Sequence, residues 1–211
     1  MKKLTENLYQ MTTYIQPMDF TIHQYLLATN PAILFATGTY EDAKKNLPFI
    51  KEILDGRELK YIFVSHLESD ECGGLSVFLS EYPEVTVLCS PLCGRELPGY
   101  GYAGHIQVCH SNANLIDGEL ELQFIDYPSE VHLQNGLLCF EKNSGLLYSS
   151  DLMQQYGHGE GQFIQSHWKQ EVEKIDLNRV PNEKYLHILK KKLLQINPQY
   201  IAVGHGFCIK L

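Results

Sequence analysis

No stretch of this 211-residue chain approaches the roughly 20 consecutive apolar residues that a membrane-spanning helix needs. No membrane span is therefore expected. The N-terminus, MKKLTENLYQMTTY, has Lys2 and Lys3 but no apolar segment behind them, so it does not read as a secretory signal. The expected location is the cytoplasm. Basic charge is scarce: Lys and Arg total 17 against 25 Asp and Glu, a formal net charge of -8. Nucleic-acid partners recruit stripes of Lys and Arg, so none is expected here. Internal repeats, low-complexity tracts and linkers rich in Pro, Gly or Ser are also missing. One domain over residues 1–211 is the simplest organisation.

Six cysteines stand at 72, 89, 93, 109, 139 and 208. In a reducing compartment they default to free thiols. Cys89 and Cys93, four apart, make half a zinc site at most. With 44% hydrophobic and 20% charged residues the composition is that of an ordinary globular domain.

Hydrophobic patterning predicts short strands first, over Tyr9–Ile15, Thr21–Leu27 and Ala32–Ala36. A helix follows from about Glu41 to Leu54, with Leu47, Ile50, Ile53 and Leu54 on one face. Tyr61–Val64 is a continuous β-rich run and reads as a buried strand. Leu75–Leu79 and Pro91–Leu97 read as helices, Thr86–Cys89 as a strand and Gly99–Gly104 as a loop. Leu120–Ile125, Leu137–Phe140, Gly145–Tyr148 and Tyr200–Val203 read as strands. Asn182–Leu194 reads as a helix with Tyr185, Ile188 and Leu189 inward.

Polar residues of metal-binding type recur just after these strands. His66, Glu68 and Asp70 alternate behind Tyr61–Val64, with Glu71 adjacent. A turn of that length can aim alternate side chains at one point, offering imidazole nitrogen and carboxylate oxygen. Alone, this reads equally well as a solvated acidic loop with an incidental histidine. His132 precedes Leu137–Phe140, Asp151 ends the Gly145–Ser150 run, and His205 stands between Gly204 and Gly206 after Tyr200–Val203. Strand-end loops are where sheet proteins usually carry their chemistry.

The order His-x-Glu-x-Asp, then His, then Asp, then Gly-His-Gly resembles the metallo-β-lactamase superfamily. Most hydrolases of that superfamily carry His-x-His-x-Asp-His. Glu68 here takes the place of the second His, as in flavodiiron proteins and the stand-alone oxygen-binding diiron proteins similar to them. The 19 residues from His132 to Asp151 (151 − 132) agree with the flavodiiron pattern. The resemblance implies an α+β fold, the αββα four-layer sandwich, with metals at one edge. It implies one iron on His66, Glu68 and His132, a second on Asp70 and His205, and Asp151 bridging both. Glu71 departs from the pattern, standing where flavodiiron proteins have His. It either binds the second iron through oxygen, the reading favoured here, or points away and leaves a position open.

Three imidazoles with three or four carboxylates suit Fe or Mn better than Zn, so two Fe ions are expected, with Zn or Mn as alternatives. Glu68, Asp70, Glu71 and Asp151 would balance the four positive charges of two Fe(II). Tyr156 and His158 are candidates for reaching the pocket where a diatomic binds. The other histidines, His23, His105, His110, His167 and His187, read as surface or core residues, and Cys72 as a small buried residue. Leu211 follows His205 by six residues (211 − 205) and no Gly-rich phosphate loop is evident, so neither a flavodoxin domain nor a flavin is expected in this chain. The implied function is binding, with or without reduction, of dioxygen or nitric oxide. The chain would act as an oxidoreductase fed by a separate reductase, or as a sensor that signals to a partner. Whether it forms a homodimer is open. The alternative is a metal-dependent hydrolase of thioesters, lactones or phosphoesters, against which Glu68 argues.

Overall fold

The computed structural model describes residues 1–111, 113–127 and 136–211. The first sheet runs, in spatial order, β1 (Lys2–Lys3), β2 (Leu8–Ile15), β3 (Phe20–Leu27), β4 (Ala32–Phe35), β5 (Leu59–Val64), β6 (Thr86–Cys89) and β7 (His105–Val108). Its first four strands pair antiparallel and the rest pair parallel. Parallel neighbours need long crossovers. Here these carry α1 (Tyr40–Leu54), then α2 (Ser69–Cys72) with α3 (Leu75–Glu81), then α4 (Pro91–Glu96). The second sheet contains β8 (Asn114–Asp117), β9 (Leu120–Tyr127), β10 (Gly136–Glu141), β11 (Leu146–Ser150), β12 (Phe163–Gln165), β13 (Tyr200–Val203) and β14 (Cys208–Lys210). Its order is β12-β14-β13-β11-β10-β9-β8. Helices α5 (Trp168–Lys174) and α6 (Glu183–Leu193) lie outside it.

Three apolar layers hold these elements together. Between the sheets, Tyr25, Ile33, Phe35, Phe63, Leu122, Phe124, Leu137, Cys139 and Tyr148 form one core. The alternate residues Leu26, Leu34, Ile62 and Val64 point the other way and meet Ala43, Ile50 and Leu54 of α1 and Phe78 of α3. Leu138, Leu147, Ile201 and Val203 likewise meet Val172 of α5 and Leu189 and Leu193 of α6. The result is the expected αββα sandwich. Strands buried on both faces carry apolar residues at successive positions, which is why Tyr61–Val64 and Tyr200–Val203 stood out as unbroken runs.

One expectation for α6 needs correction. Leu189 is buried, but Tyr185 and Ile188 are 47% and 39% exposed. The inward stripe is Leu186, Leu189 and Leu193. Residues 185 and 188 sit one position, about 100° of helical rotation, behind it. The polar strand β7, the short strands β12 and β14, the one-turn α2 and α5 carried no strong periodic signal. Among the described residues no helix is long and apolar enough to cross a membrane.

Phe63 sits at the middle of the inter-sheet core, fully buried, its ring centroid 5.9 to 6.1 Å from those of Phe35, Phe124 and Tyr148. Truncation there removes contacts from both sheets at once. Phe63→Ala is expected to lower the unfolding free energy by about 3–5 kcal/mol, read from the midpoint and slope of urea denaturation. A loss below about 1 kcal/mol would mean that the sheets do not share this core.

Candidate metal centre

Strands β11 and β13 pair parallel, with Ser150 opposite Val203. The residues just beyond them, Asp151 and Gly204-His205-Gly206, therefore leave the sheet at the same end. From the other sheet, β5 ends at Val64 and delivers Ser65 and His66. The backbone N–H of Leu137, in β10, donates to the Ser65 carbonyl at 3.0 Å and ties the two sheets together at this point. Glu68 stands at the residue immediately before α2, whose first turn carries Asp70 and Glu71.

These side chains converge. His66 Nε2 lies 3.4 Å from Glu68 Oε2 and 3.6 Å from Asp151 Oδ2. His205 Nε2 lies 3.5 Å from Asp70 Oδ2 and 3.1 Å from Asp151 Oδ1. Asp151 thus turns one oxygen to each histidine. His66, Glu68 and Asp151 each present a ligand atom within 4.8 Å of the others, close enough for one metal ion. The donors are imidazole and carboxylate, without thiolate, a set suited to iron, manganese or zinc. His132, the remaining expected ligand, lies outside the described residues.

The backbone is shaped around Asp151. Ser150 adopts φ 46° and ψ −127°, a strained conformation for a residue with a Cβ, and such strain gathers at functional sites. A Cβ on Gly204 would stand 3.1 Å from Asp151 Oδ1, so the glycine leaves room for the carboxylate. The ligating faces of both rings are set by their other nitrogens. His205 Nδ1 donates to the Thr21 carbonyl at 2.7 Å, which leaves Nε2 as the lone-pair nitrogen. His66 Nδ1 lies 3.4 Å from Ser150 Oγ.

Burial alone would lower the His66 pKa, but Glu68, Glu71 and Asp151 outweigh it and hold it at about 9. Burial likewise opposes the His205 imidazolium, and Asp151, Thr21 and Asp70 raise its pKa on balance. Burial raises the pKa of Asp70. Protons and metal ions compete for the same lone pairs, so a pocket that favours imidazolium despite burial favours cations.

Glu71 is placed differently from its neighbours. It is buried, and its Oε1 accepts from Tyr148 Oη at 2.5 Å and from Ser150 Oγ at 2.8 Å. The Ser65 N–H donates to its Oε2 at 3.3 Å. Burial raises its pKa, with Asp151 and Asp70 adding to the rise and His66 and Tyr148 opposing it. Tyr156 is 71% exposed and packs against Phe20, whose ring stacks on His205 at 4.2 Å. His158 is half-exposed, stacks on Tyr14 and lies 3.7 Å from Glu160. Both stand at the rim rather than among the converging side chains.

A model of the family described as "ODP family beta lactamase" matches residues 20–206. The chain belongs to the ODP family. Among curated relatives of this ODP-family chain is the putative diflavin flavoprotein A 2 of Synechocystis. It is 23% identical over 191 residues, covering 88% of this chain and 33% of that protein. The nitric oxide reductase of Moorella thermoacetica is 26% identical over 141 residues, covering 64% and 34%. The chain spans about a third of the length of these two relatives. The flavodiiron protein of Giardia intestinalis superposes with a TM-score of 0.80 at 15% identity, covering all of this chain and 55% of that one. Rubredoxin oxygen:oxidoreductase of Desulfovibrio gigas does so at 0.80 and 19%, covering 99% and 57%. The fold is the metallo-β-lactamase-like fold of these proteins.

Sequence reasoning missed the residues that orient the site: Thr21, His23, Tyr148 and Ser150. Of the histidines read as surface or core residues, His105, His110, His167 and His187 lie at the surface and His23 in the core, at 1% exposure. Its Nε2 donates to the Gly206 carbonyl at 2.7 Å, and Thr12 Oγ1 donates to its Nδ1 at 2.9 Å. Burial lowers its pKa to about 4 from 6.5. The unfolded chain therefore takes up this proton at higher pH than the folded one. The His23 contribution is level above pH 6.5, and stability falls as pH drops from there to 4, by up to about 3 kcal/mol. His23→Gln keeps one donor and one acceptor but cannot titrate. It is expected to flatten that part of the stability–pH profile, measured by urea unfolding at pH 7, 5.5 and 4.5. Parallel profiles would place His23 in contact with solvent.

Proposed function

We propose that this chain is a diiron protein that binds dioxygen or nitric oxide, and reduces it when a separate electron-donor protein supplies electrons. The observation that carries the reading is the Asp151 carboxylate, with one oxygen 3.6 Å from His66 Nε2 and the other 3.1 Å from His205 Nε2. Each histidine has a carboxylate of its own at about the same distance, Glu68 at 3.4 Å and Asp70 at 3.5 Å. Two positions that share one carboxylate suit a pair of cations a few ångströms apart.

In this reading His66, Glu68 and His132 hold one iron, Asp70 and His205 hold the other, and Asp151 spans both. Two iron ions held there would bind the diatomic molecule and supply its electrons. The carboxylates Glu68, Asp70 and Asp151 supply negative charge to offset that of the irons. Phe20 stacks on the His205 ring beside the cluster. For Glu71 the hydrogen bonds support the second of the two readings of the sequence. As a ligand it would give up acceptors that now satisfy Tyr148, Ser150 and the Ser65 N–H, and leaving buried donors unmatched costs about 1–3 kcal/mol each. With Glu71 pointing away, Asp70, His205 and Asp151 would be the residues that hold the second ion.

The names of the relatives, a nitric oxide reductase and a rubredoxin oxygen:oxidoreductase, support a redox role over a hydrolytic one, as does Glu68 in place of an imidazole donor.

Protein loaded anaerobically with Fe(II) is expected to hold about two irons per chain and to develop a visible charge-transfer band on exposure to oxygen or nitric oxide. Two zinc ions retained in preference to iron, with no optical response to either gas, would overturn the proposal in favour of hydrolysis. Asp151→Ala is expected to lower the content below one iron per chain. Glu71→Gln is expected to keep two, at a cost in stability of about 1 kcal/mol, since the amide nitrogen would face the Ser65 N–H. Loss of one iron from Glu71→Gln would make Glu71 a ligand.

A further inference from the structure

The loop that carries His205 has little stiffness of its own. Gly204 and Gly206 flank the histidine, Gly206 at φ 90°, and glycine leaves the backbone free. What fixes the loop comes from across the sandwich. Thr21, His23 and Tyr25 alternate along one face of β3 and are all buried to 1% exposure or less. Tyr25 Oη donates to the Val203 carbonyl at 2.7 Å, where β13 ends. The His23 N–H donates to the Gly204 carbonyl at 2.9 Å. Thr21 Oγ1 accepts from the Gly206 N–H at 2.7 Å, and His23 Nε2 donates to the Gly206 carbonyl at 2.7 Å. Between these bonds the Thr21 carbonyl accepts from His205 Nδ1 itself.

We propose that Thr21 and His23 are positioning residues for one metal position only, the one formed by Asp70 and His205, and that β3 thereby sets the affinity of that position independently of the one at His66 and Glu68. The inference rests on the reading of the cluster as a metal centre. Its physical basis is pre-organisation. The carbonyl of Thr21 fixes the tautomer and the tilt of the ring, and the Thr21 hydroxyl and the His23 imidazole fix both peptide groups of Gly206. Neutral His23, whose protonation burial resists, keeps its Nε2–H on the Gly206 carbonyl and its Nδ1 lone pair on Thr12. The His66 ring is oriented by other groups, Ser150 and the Glu68 loop. Groups that orient a metal-binding histidine change metal affinity by about 10–100-fold when they are removed.

Thr21→Val preserves shape and the main-chain carbonyl but removes the acceptor for the Gly206 N–H. Thr21→Ser keeps that acceptor. The experiment is anaerobic Fe(II) titration of the metal-free protein, read by equilibrium metal content, with urea unfolding of each metal-free variant alongside. Thr21→Val is expected to bind its first iron as the wild type does and its second 10–100-fold more weakly, and Thr21→Ser to restore the second. His23→Leu is expected to give the same split. Equal weakening of both irons, or full retention of both at wild-type affinity in Thr21→Val, would overturn the inference. If the wild type binds fewer than two ions of any metal, the metal reading itself fails. The clamp is then judged on the metal-free protein by long-range 15N spectra of the histidines. One His205 Nδ1–H tautomer in the wild type that becomes a mixture in Thr21→Val supports it, and identical spectra overturn it.

Discussion

Burying Asp151 between two imidazoles is the constraint around which the rest of the site is built. An ionised carboxylate in a dry interior is costly unless charge or hydrogen bonds compensate it. Burial raises the pKa of Asp70 and of Glu71, and the neighbouring Asp151 carboxylate adds to both rises. Compensation comes from the imidazoles of His66 and His205, whose pKa values the neighbouring carboxylates raise against burial, and from the hydroxyls around Glu71. Dications in the same space would replace imidazolium protons with more charge in nearly the same places. The arrangement is understandable as a cation site and hard to justify as a structural network, because a hydrophobic core of the same volume would be at least as stable.

That charge cluster is possible only because the chain accepts strain at its centre. Ser150 sits at φ 46° where glycine would be comfortable, a conformation that costs about 1–3 kcal/mol. Its hydroxyl explains why glycine is not there: it donates to Glu71 and lies beside His66. The strained backbone turns Asp151 into the pocket while the Ser150 carbonyl accepts from the Gly204 N–H at 2.9 Å, keeping β11 and β13 in step. The fully buried core between the sheets, with Phe63, Phe124 and Tyr148 at its middle, is what over-determines this geometry.

Much of the fold was legible because both faces of most strands are buried, so β5, β11 and β13 announce themselves as apolar runs. The converging side chains were legible for a related reason. Each follows such a run directly, and strand ends at one edge of a sandwich bring them together whatever their separation in sequence. The orientation of Glu71 was not legible. It depends on the Tyr148 hydroxyl, 77 residues away, and no local pattern distinguishes a carboxylate that faces a cation from one that faces a phenol. Nor could the role of His23 be read, since its partner Gly206 is 183 residues distant. A lone histidine in a strand reads as surface or core; His23 is core, and its further work lies in contacts that only the packed sheets create. The exposed Tyr185 and Ile188 mark the opposite limit, where helical periodicity alone could not choose between two adjoining stripes.

The support of the two histidines is reciprocal across the sandwich. His66 belongs to the first sheet, and its Nδ1 lies against Ser150 at the end of the second. His205 belongs to the second sheet, and β3 of the first holds it. Glu71 repeats the pattern, arriving on the loop after β5 and anchored by Tyr148 and Ser150 of β11. Each of these three side chains is therefore oriented by a sheet other than the one that delivers it. The geometry of the centre and the packing of the sheets against each other become a single property, and neither is complete until the other is. A cation that binds only this assembled arrangement draws on the folding equilibrium of the whole sandwich, stabilising it in proportion to the logarithm of its occupancy ratio. Metal ions held in such a site would act as structural links between the layers as well as chemical agents, with the inter-sheet core keeping their positions defined.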